Sequence, residues 1–152
     1  MANWKEKIKK TEITGSVTSE TVNFAKSFGE YLGCEGTDDE GFTLKKLTTS
    51  QLRKFFGEVK RQQMMGYNQS EFILLKPKLA YAVGRARKEC KNNKTKKEKP
   101  KIEDFYEVIA DAIDQVKSPD HFKNFIKIFE AIVAYHKAAE EDINNNNQNN
   151  EL

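Results

Sequence analysis

The sequence predicts an all-α protein, a compact bundle of about five helices with disordered termini and a lysine-rich loop. Three observations support this fold class. Apolar residues recur every three to four positions, which is the period of a helix that buries one face. Ten Phe and five Tyr give the chain material for a core, whereas disordered chains lack aromatic residues. No stretch alternates apolar and polar residues as a half-buried strand does.

Periodicity and composition divide the chain into three segments. Residues 1–17 have little apolar periodicity, and we expect a flexible N-terminal segment there. Residues 18–141 carry the long apolar stripes, so we expect one helical bundle domain. Residues 142–152 are rich in Asn and have no apolar face to bury, so we expect a disordered tail.

The first helix of the bundle is expected to begin at Thr18 or Ser19, because a hydroxyl suits the N-terminal cap. Its apolar stripe has helical spacing and consists of Val22, Ala25, Phe28 and Leu32. Gly33 then supplies a stop. We expect a loop over residues 33–43. The Asp-Asp-Glu run at 38–40 lacks the oxygen spacing of a calcium site, so it predicts an acidic surface turn.

The second helix is expected to begin within Leu47-Thr48-Thr49-Ser50, where a hydroxyl caps it. Its stripe consists of Leu52, Phe55, Phe56 and Val59. Arg53 and Lys60 lie seven positions apart on one edge of the stripe, and Lys54 and Arg61 form a second row opposite the core. Regularly spaced cations suit the phosphates of a nucleic-acid strand. Basic side chains also commonly solvate helix surfaces, and for the second row that alternative stays open.

The stretch from Leu75 to Lys88 is the most informative part of the chain. The apolar run at 72–75 is expected to pack inward as a helical turn that leads into a helix at Pro77. With a step of about 100° per residue, one face of that helix carries Lys78, Tyr81, Arg85 and Lys88. Another face carries Leu79, Val83, Ala86 and Cys90. The helix can therefore bury one side and present the other to a negatively charged ligand. For Tyr81 two roles stay open, a contact with that ligand and a half-buried position.

Residues 91–100 are polar and lysine-rich, which predicts a mobile loop. Two longer helices are expected after it. The stripe of the first consists of Ile102, Phe105, Ile109, Ile113 and Val116. Ser118-Pro119-Asp120 signals the start of the second, whose stripe consists of Phe122, Phe125, Ile126, Phe129, Ile132 and Val133. Helical spacing assigns these Phe rings to the core rather than to base stacking.

Charge is distributed unevenly along the chain. Residues 1–44 have five basic against eight acidic residues, and residues 102–152 have four against eleven. Residues 45–101 have seventeen basic against four acidic residues. A basic middle between acidic ends indicates a surface that binds a polyanion. The alternative is a solvated surface on which charges cluster by chance.

Motifs of catalysis and metal binding are missing. His121 and His136 are fifteen positions apart, not the three or four that place two ligands on one helix face. No Cys-x-x-Cys, Walker loop or GxSxG occurs, so we expect no enzyme, no cofactor and no metal. Cys34 and Cys90 are expected to be reduced thiols. There is no export signal and no apolar run of membrane-spanning length, so we expect a cytoplasmic protein without membrane contact.

Three blocks of the sequence stand out together. They are Leu47-Thr48-Thr49-Ser50-Gln51-Leu52-Arg53-Lys54-Phe55, Leu75-Lys76-Pro77-Lys78-Leu79-Ala80-Tyr81-Ala82-Val83-Gly84-Arg85, and Phe125-x3-Phe129-Glu130-Ala131-x-Val133-Ala134-Tyr135. In this order they resemble the small subunit of type III-A CRISPR interference (Csm) complexes. The resemblance spans the chain from Leu47 to Lys137.

The resemblance implies an all-helical, non-catalytic subunit of an antiviral ribonucleoprotein. In that family several copies stack as a short filament beside the backbone subunits that hold the guide RNA (crRNA). Together they line the channel that guide and target RNA occupy. Target cutting belongs to the backbone subunit, while signalling and DNase activity belong to the large subunit. The implied partners are therefore both RNAs, the other Csm subunits and further copies of this chain.

The resemblance also implies which side chains contact RNA. Its matching positions give four candidates for phosphate contacts: Arg53, Lys54, Lys78 and Arg85. The shared helix faces add Lys60, Arg61 and Lys88, with Tyr81 for stacking or hydrogen bonding. One alternative is a stand-alone helical nucleic-acid-binding protein such as a DNA-binding regulator, although the loops at 33–43 and 91–101 fit a helix-turn-helix poorly. Another is a helical adaptor whose basic face binds an acidic protein.

Overall fold

The computed structural model describes Trp4 and residues 10–150, with the side chains of Trp4 and of residues 12–141. In chain order the helices are α1 (Lys10–Thr14), α2 (Ser19–Leu32), α3 (Thr49–Met65), α4 (Gln69–Phe72), α5 (Leu75–Asn92), α6 (Ile102–Gln115) and α7 (Pro119–Asn150). The strands are β1 (Gly36–Thr37), β2 (Thr43–Lys45) and β3 (Glu98–Pro100). The predicted helical fold class is confirmed.

Hydroxyl caps begin α2 and α3, as the sequence predicted. The Thr48 hydroxyl accepts a hydrogen bond from the Gln51 backbone N–H at 3.1 Å, and the Gln51 side chain accepts one from the Thr48 N–H at 2.9 Å. Thr18 and Thr21 make the equivalent reciprocal pair at the start of α2. Each pair satisfies two backbone donors that a helix N-terminus otherwise leaves without partners.

The stripes of α6 and α7 form the centre of the core. All of their predicted apolar residues are buried. The Phe125 and Phe129 rings stack with centroids 5.9 Å apart, and Phe55 of α3 meets Phe129 edge-on at 5.6 Å. Phe55 also meets Phe105 of α6 edge-on at 5.9 Å, so one aromatic cluster joins three helices. The assignment of these rings to the core is confirmed.

A small sheet packs beside the helices, where the sequence predicted only loops. β1 pairs antiparallel with β2, with Gly36 opposite Leu44. β2 pairs parallel with β3, with Thr43 opposite Glu98. The predictions of an unstructured loop over 33–43 and a mobile loop over 91–100 are therefore wrong at these strands. Strands of two or three residues are too short to show alternation, and β2 and β3 pair across more than fifty residues.

The strand β3 leads into a buried lysine. Lys101 is only 4% exposed, and its Nζ donates to the backbone carbonyls of Tyr31 and Cys34, both at 2.6 Å. Those carbonyls lie at the C-terminal end of α2, where helix carbonyls lack partners within the helix. Burial lowers the pKa of Lys101. The end of the lysine-rich segment is thus anchored to α2.

Two details of the predicted apolar faces are wrong. Val22 is 41% exposed, because α2 buries Thr21 instead, whose hydroxyl is satisfied at the helix cap. In the run at 72–75, Phe72 and Leu75 are buried, whereas the two residues between them, Ile73 and Leu74, are exposed. The turn between α4 and α5 directs those two side chains to solvent.

Parts of the segment predicted to be flexible pack against the bundle. Ile13 is fully buried, and the Asn124 side chain of α7 donates to the carbonyls of Ile13 and Gly15, both at 2.9 Å. The Trp4 ring lies 5.1 Å from that of Phe28 in α2. These contacts join distant parts of the chain, which periodicity alone does not indicate.

The structure does not describe some residues near the two ends of the chain. Residues 1–3, 5–9 and 151–152 lie outside the described residues, and so do the side chains of 142–150 within α7. The predicted domain boundaries, at 17 and 141, and the disordered tail remain predictions. Within the described residues, no helix is both long enough and apolar enough to span a bilayer.

Candidate nucleic-acid interface

The eight residues predicted to contact RNA lie on α3 and α5, which are linked through a short segment containing α4. Lys78 near the start of α5 forms an ion pair with Glu58 of α3, with Nζ and Oε1 3.2 Å apart. The Gln62 side chain of α3 donates to the Glu71 carbonyl in α4 at 3.3 Å. These contacts hold the first turns of α5 beside the middle of α3.

The predicted division of α5 into two faces is confirmed for most positions. Leu79, Val83 and Ala86 are buried, as is Leu75, while Cys90 is only half-buried. The opposite face is exposed along its length and carries Lys78, Tyr81, Arg85 and Lys88. Tyr81 is 71% exposed, which excludes the half-buried position considered for it. The α5 surface therefore presents one aromatic ring among three cations.

Three of the eight residues share ion pairs with acidic side chains, and two of these three meet the same carboxylate on α3. The Arg61 guanidinium donates to both carboxylate oxygens of Glu58, at 2.7 and 3.1 Å, and lies 3.7 Å from Glu71. With Lys78 on the same carboxylate, these bonds lower the pKa of Glu58 to about 2. They raise the pKa of Arg61 in turn. Arg61 and Lys78 therefore carry charges that Glu58 partly compensates.

The charge of Lys60 is compensated by a carboxylate on a different helix, α7. Its Nζ donates to Glu130 of α7 and lies 5.6 Å from the centroid of the Phe56 ring. Lys60 thus ties α3 to α7 and sits on the α7 side of α3. The sequence placed Lys60 and Arg53 on one edge of α3, and the structure brings that edge to α7 rather than to α5.

Four of the predicted contact residues are cations whose charge no described acidic side chain compensates. Arg53, Lys54, Arg85 and Lys88 are exposed, and none of them forms an ion pair or hydrogen bond with the described residues. Uncompensated cations are the ones that gain most from meeting a phosphate, because they give up no protein partner. Arg53 belongs to the α7 edge of α3, whereas Arg85 and Lys88 belong to the outer face of α5.

Arg53 lies in a groove that the sequence did not predict. The groove, of about 80 Å³, runs between α3 and α7 and is lined by Thr49, Leu52, Arg53, Phe56, Val133 and Lys137. Lys137 was not among the predicted contacts, because its place beside Arg53 depends on how α7 packs on α3. The only sequence signal was its position at the end of the stretch that the resemblance spans, two residues after the third block.

The two histidines make contacts within the fold. His136 is fully buried, with Nε2 2.5 Å from the Leu47 carbonyl oxygen. His121 accepts a hydrogen bond at Nδ1 from the Lys117 backbone N–H at 3.1 Å, at the start of α7. Among the described residues, no three His, Cys, Asp or Glu side chains are grouped as a metal ion would require.

Comparison with protein-family models gives a match. A family model described as Csm2 Type III-A matches residues 18–142. No curated protein and no solved structure matches the chain. The matched residues run from the cap of α2 into α7 and include all eight predicted contact residues and the groove.

Proposed function

The chain belongs to the Csm2 family of type III-A, a small subunit of the CRISPR Csm complex, and from this membership we propose that it binds RNA without catalysing a reaction. The proposed ligand is the sugar–phosphate backbone of the guide and target RNA. The proposed contacts are Arg53, Lys54, Lys60, Arg61, Lys78, Tyr81, Arg85 and Lys88. The role is the support of antiviral defence by a cytoplasmic ribonucleoprotein.

One observation carries this proposal: four of the predicted contact residues on α3 and α5 are exposed cations with no acidic partner among the described residues. Arg53 and Lys54 leave uncompensated positive surface on α3, and Arg85 and Lys88 leave it on the outer face of α5, although the net charge of the chain is only +3. Such a surface favours an anionic polymer, and binding it releases the counterions condensed on the polymer. The segment 45–101, which carries these residues, has seventeen basic against four acidic side chains.

The chemistry of these contacts matches what a guide-directed complex requires. The guide sequence changes from one RNA to the next, so a subunit repeated along it must not read bases. Lysine and arginine contacts to phosphates position a strand without reading its sequence, which is then recognised by base pairing. Each contact is weak and sensitive to salt, so several copies in register would hold the strand together.

A second surface supports the proposed stacking of copies. Met64 and Met65 at the end of α3 are 88% and 74% exposed, and Ile73 and Leu74 before α5 are also exposed. All four flank α4, so they lie at one end of the α3–α5 pair. Large exposed apolar side chains in one place indicate a protein contact. We assign this end to the contact with the next copy.

The test is RNA binding by the purified full chain, measured by filter binding with mixed-sequence single-stranded RNA over a salt series. We expect weak binding that is independent of sequence and fades as salt rises. A sharp preference for one DNA duplex would contradict the proposal in favour of a DNA-binding regulator. No binding at any salt would favour an adaptor for acidic proteins. Purification of a tagged chain from cells that express the complex should also recover RNA and the other Csm subunits.

A further inference from the structure

The groove between α3 and α7 combines an apolar floor with two cations at its sides. Leu52, Phe56 and Val133 supply the floor, and Arg53 and Lys137 stand at the edges. Its volume of about 80 Å³ is enough to hold several waters. A small anionic group can therefore enter the groove in place of water.

Lys137 is held in place by an aromatic ring instead of a carboxylate. Its Nζ lies 5.4 Å from the centroid of the Phe56 ring, within the range of a cation–π contact. An aromatic face attracts the ammonium group without cancelling its charge. Lys60 shows the contrast, because it contacts the same ring at 5.6 Å but also donates to Glu130. Lys137 is therefore oriented and still able to meet an anion.

Phe56 can orient Lys137 because its own ring is fixed. It packs against Phe129 with ring centroids 6.0 Å apart and an angle of 25° between the planes. Phe129 belongs to the core cluster and is 1% exposed. Glu140, a carboxylate one turn further along α7, accepts from the Thr49 hydroxyl at 2.5 Å and pairs with Lys46 at 3.5 Å. Glu140 therefore reaches the groove only through the lining residue Thr49, and Lys46 compensates its charge.

We propose that this groove is a binding site for a single RNA phosphate, held between the guanidinium of Arg53 and the ammonium of Lys137. The inference rests on the proposed function and deepens it, because it names a contact residue outside the predicted set and a pair that acts together. It also gives the α7 edge of the molecule its own contact with the strand. The two uncompensated cations call for an anion, and the proposed function makes a phosphodiester of RNA that anion.

The test measures affinity of the full chain for a fluorescent mixed-sequence single-stranded RNA, by anisotropy over a salt series, for R53A, K137A and the double variant. The matched control is K127A, since Lys127 is exposed on the same helix opposite its buried residues. We expect K137A to weaken binding and to lower the slope of log affinity against log salt by about 0.7 at most, the value for one phosphate of a single strand. K127A should leave both unchanged. Melting temperatures should be equal across the set.

A shared phosphate also predicts that the two substitutions are coupled. The affinity loss of the double variant should differ from the product of the single losses by about two-fold or more. If K137A behaves like K127A while R53A weakens binding, the groove inference is wrong and the proposed function stands. Independent single losses would also overturn the shared site. Weaker binding of K137A to poly-glutamate, with RNA binding unchanged, would assign the groove to an acidic protein. If the unaltered chain binds no RNA, the proposed function itself fails.

Discussion

Gly29 of α2 lies directly against the backbone of α7 at Ile132. A Cβ atom at position 29 would stand 2.7 Å from the Ile132 carbonyl oxygen. It would also stand 2.7 Å from the Cβ of Tyr135 and 2.9 Å from the His136 backbone nitrogen. One helical turn later, a Cβ at Gly33 would stand 2.8 Å from the His136 carbonyl oxygen. The two glycines therefore set how closely α2 approaches α7.

We predict that G29A destabilises the protein although alanine is the better helix former. The added methyl group cannot fit without moving α2 away from α7, and overpacking of this kind costs about 1–3 kcal/mol. The gain in helix propensity is about 1 kcal/mol and offsets only part of that cost. Chemical denaturation should show a lower midpoint.

Gly57 supplies the control for G29A. It lies in the interior of α3 and is exposed, and a Cβ atom added there would meet no heavy atom within 4 Å. G57A should therefore stabilise by about 0.5–1 kcal/mol, the ordinary gain for a helix. Opposite signs for the two variants identify the contact with α7 as the cause. Equal gains in stability would mean that α2 and α7 are not in close contact.

The core ring of Phe129 gives a second prediction about stability. Its ring is 1% exposed and packs against Phe55, Phe56 and Phe125. Removal of the ring leaves a cavity among rigid neighbours, so F129A should lower the free energy of unfolding by about 3–5 kcal/mol. An unchanged melting temperature would show that the ring is not part of the core.

Features that depend on one short segment of the chain could be predicted from the sequence, whereas features that join distant segments could not. Stripes such as Phe105–Ile109–Ile113 were predicted and found, because helix periodicity lies within one segment. The hydroxyl caps of α2 and α3 are also local, and they were predicted. The strands were not, since β2 and β3 pair across more than fifty residues and are too short to alternate.

The candidate site shows the same limit. The Glu58–Arg61 pair lies three residues apart on one helix, so the sequence could have indicated that Arg61 is compensated. The Lys60–Glu130 pair and the place of Lys137 beside Arg53 depend on α7 packing against α3. Lys101 is the clearest example. It belongs to a lysine-rich run whose composition indicates solvent exposure, yet the C-terminal end of α2 encloses it.

The ionised Glu58 side chain should make the stability of the fold depend on pH in the acid range. Its pKa falls from 4.5 to about 2, first through the hydrogen bonds from Arg61 and then through Gln62 and Lys78. A group with a lowered pKa stabilises the fold fully above its unfolded pKa, and that contribution is lost as the pH falls through the folded value. The stability difference between the unaltered chain and E58Q should be full above about pH 4.5 and disappear near pH 2.

Denaturant midpoints across this pH range provide the measurement. E107Q is the control, because Glu107 is exposed on α6 and forms no ion pair among the described residues. E107Q should track the unaltered chain at every pH. A difference for E58Q that stays constant down to pH 2 would assign its effect to packing instead of charge.

E58Q also yields a prediction about RNA. Glu58 compensates Arg61 and Lys78, so its neutralisation frees Lys78 and leaves Arg61 with only the 3.7 Å contact to Glu71. We expect E58Q to bind mixed-sequence RNA more tightly, with a steeper salt dependence. E107Q removes one negative charge at a site without an ion pair to any described residue. It therefore separates the loss of the Glu58 ion pairs from the change in the net charge of the protein. Equal gains for both variants would exclude Arg61 and Lys78 from the surface.

Charge reversal at Arg53 and Arg85 tests the surface as a whole. Neither residue has a partner among the described residues, so R53E/R85E breaks no bond in the fold. Stability should change by less than about 0.5 kcal/mol per site, as for other surface positions. RNA affinity should fall, and the slope of log affinity against log salt should drop by about 1.4 if each residue meets one phosphate of a single strand.

The double variant K26E/K117E is the control, because it makes the same change in net charge at exposed positions outside α3 and α5. Because long-range repulsion acts on both double variants alike, only direct contact makes R53E/R85E the weaker binder. Target RNA retained normally by complexes assembled with R53E/R85E would reject the assignment of this surface.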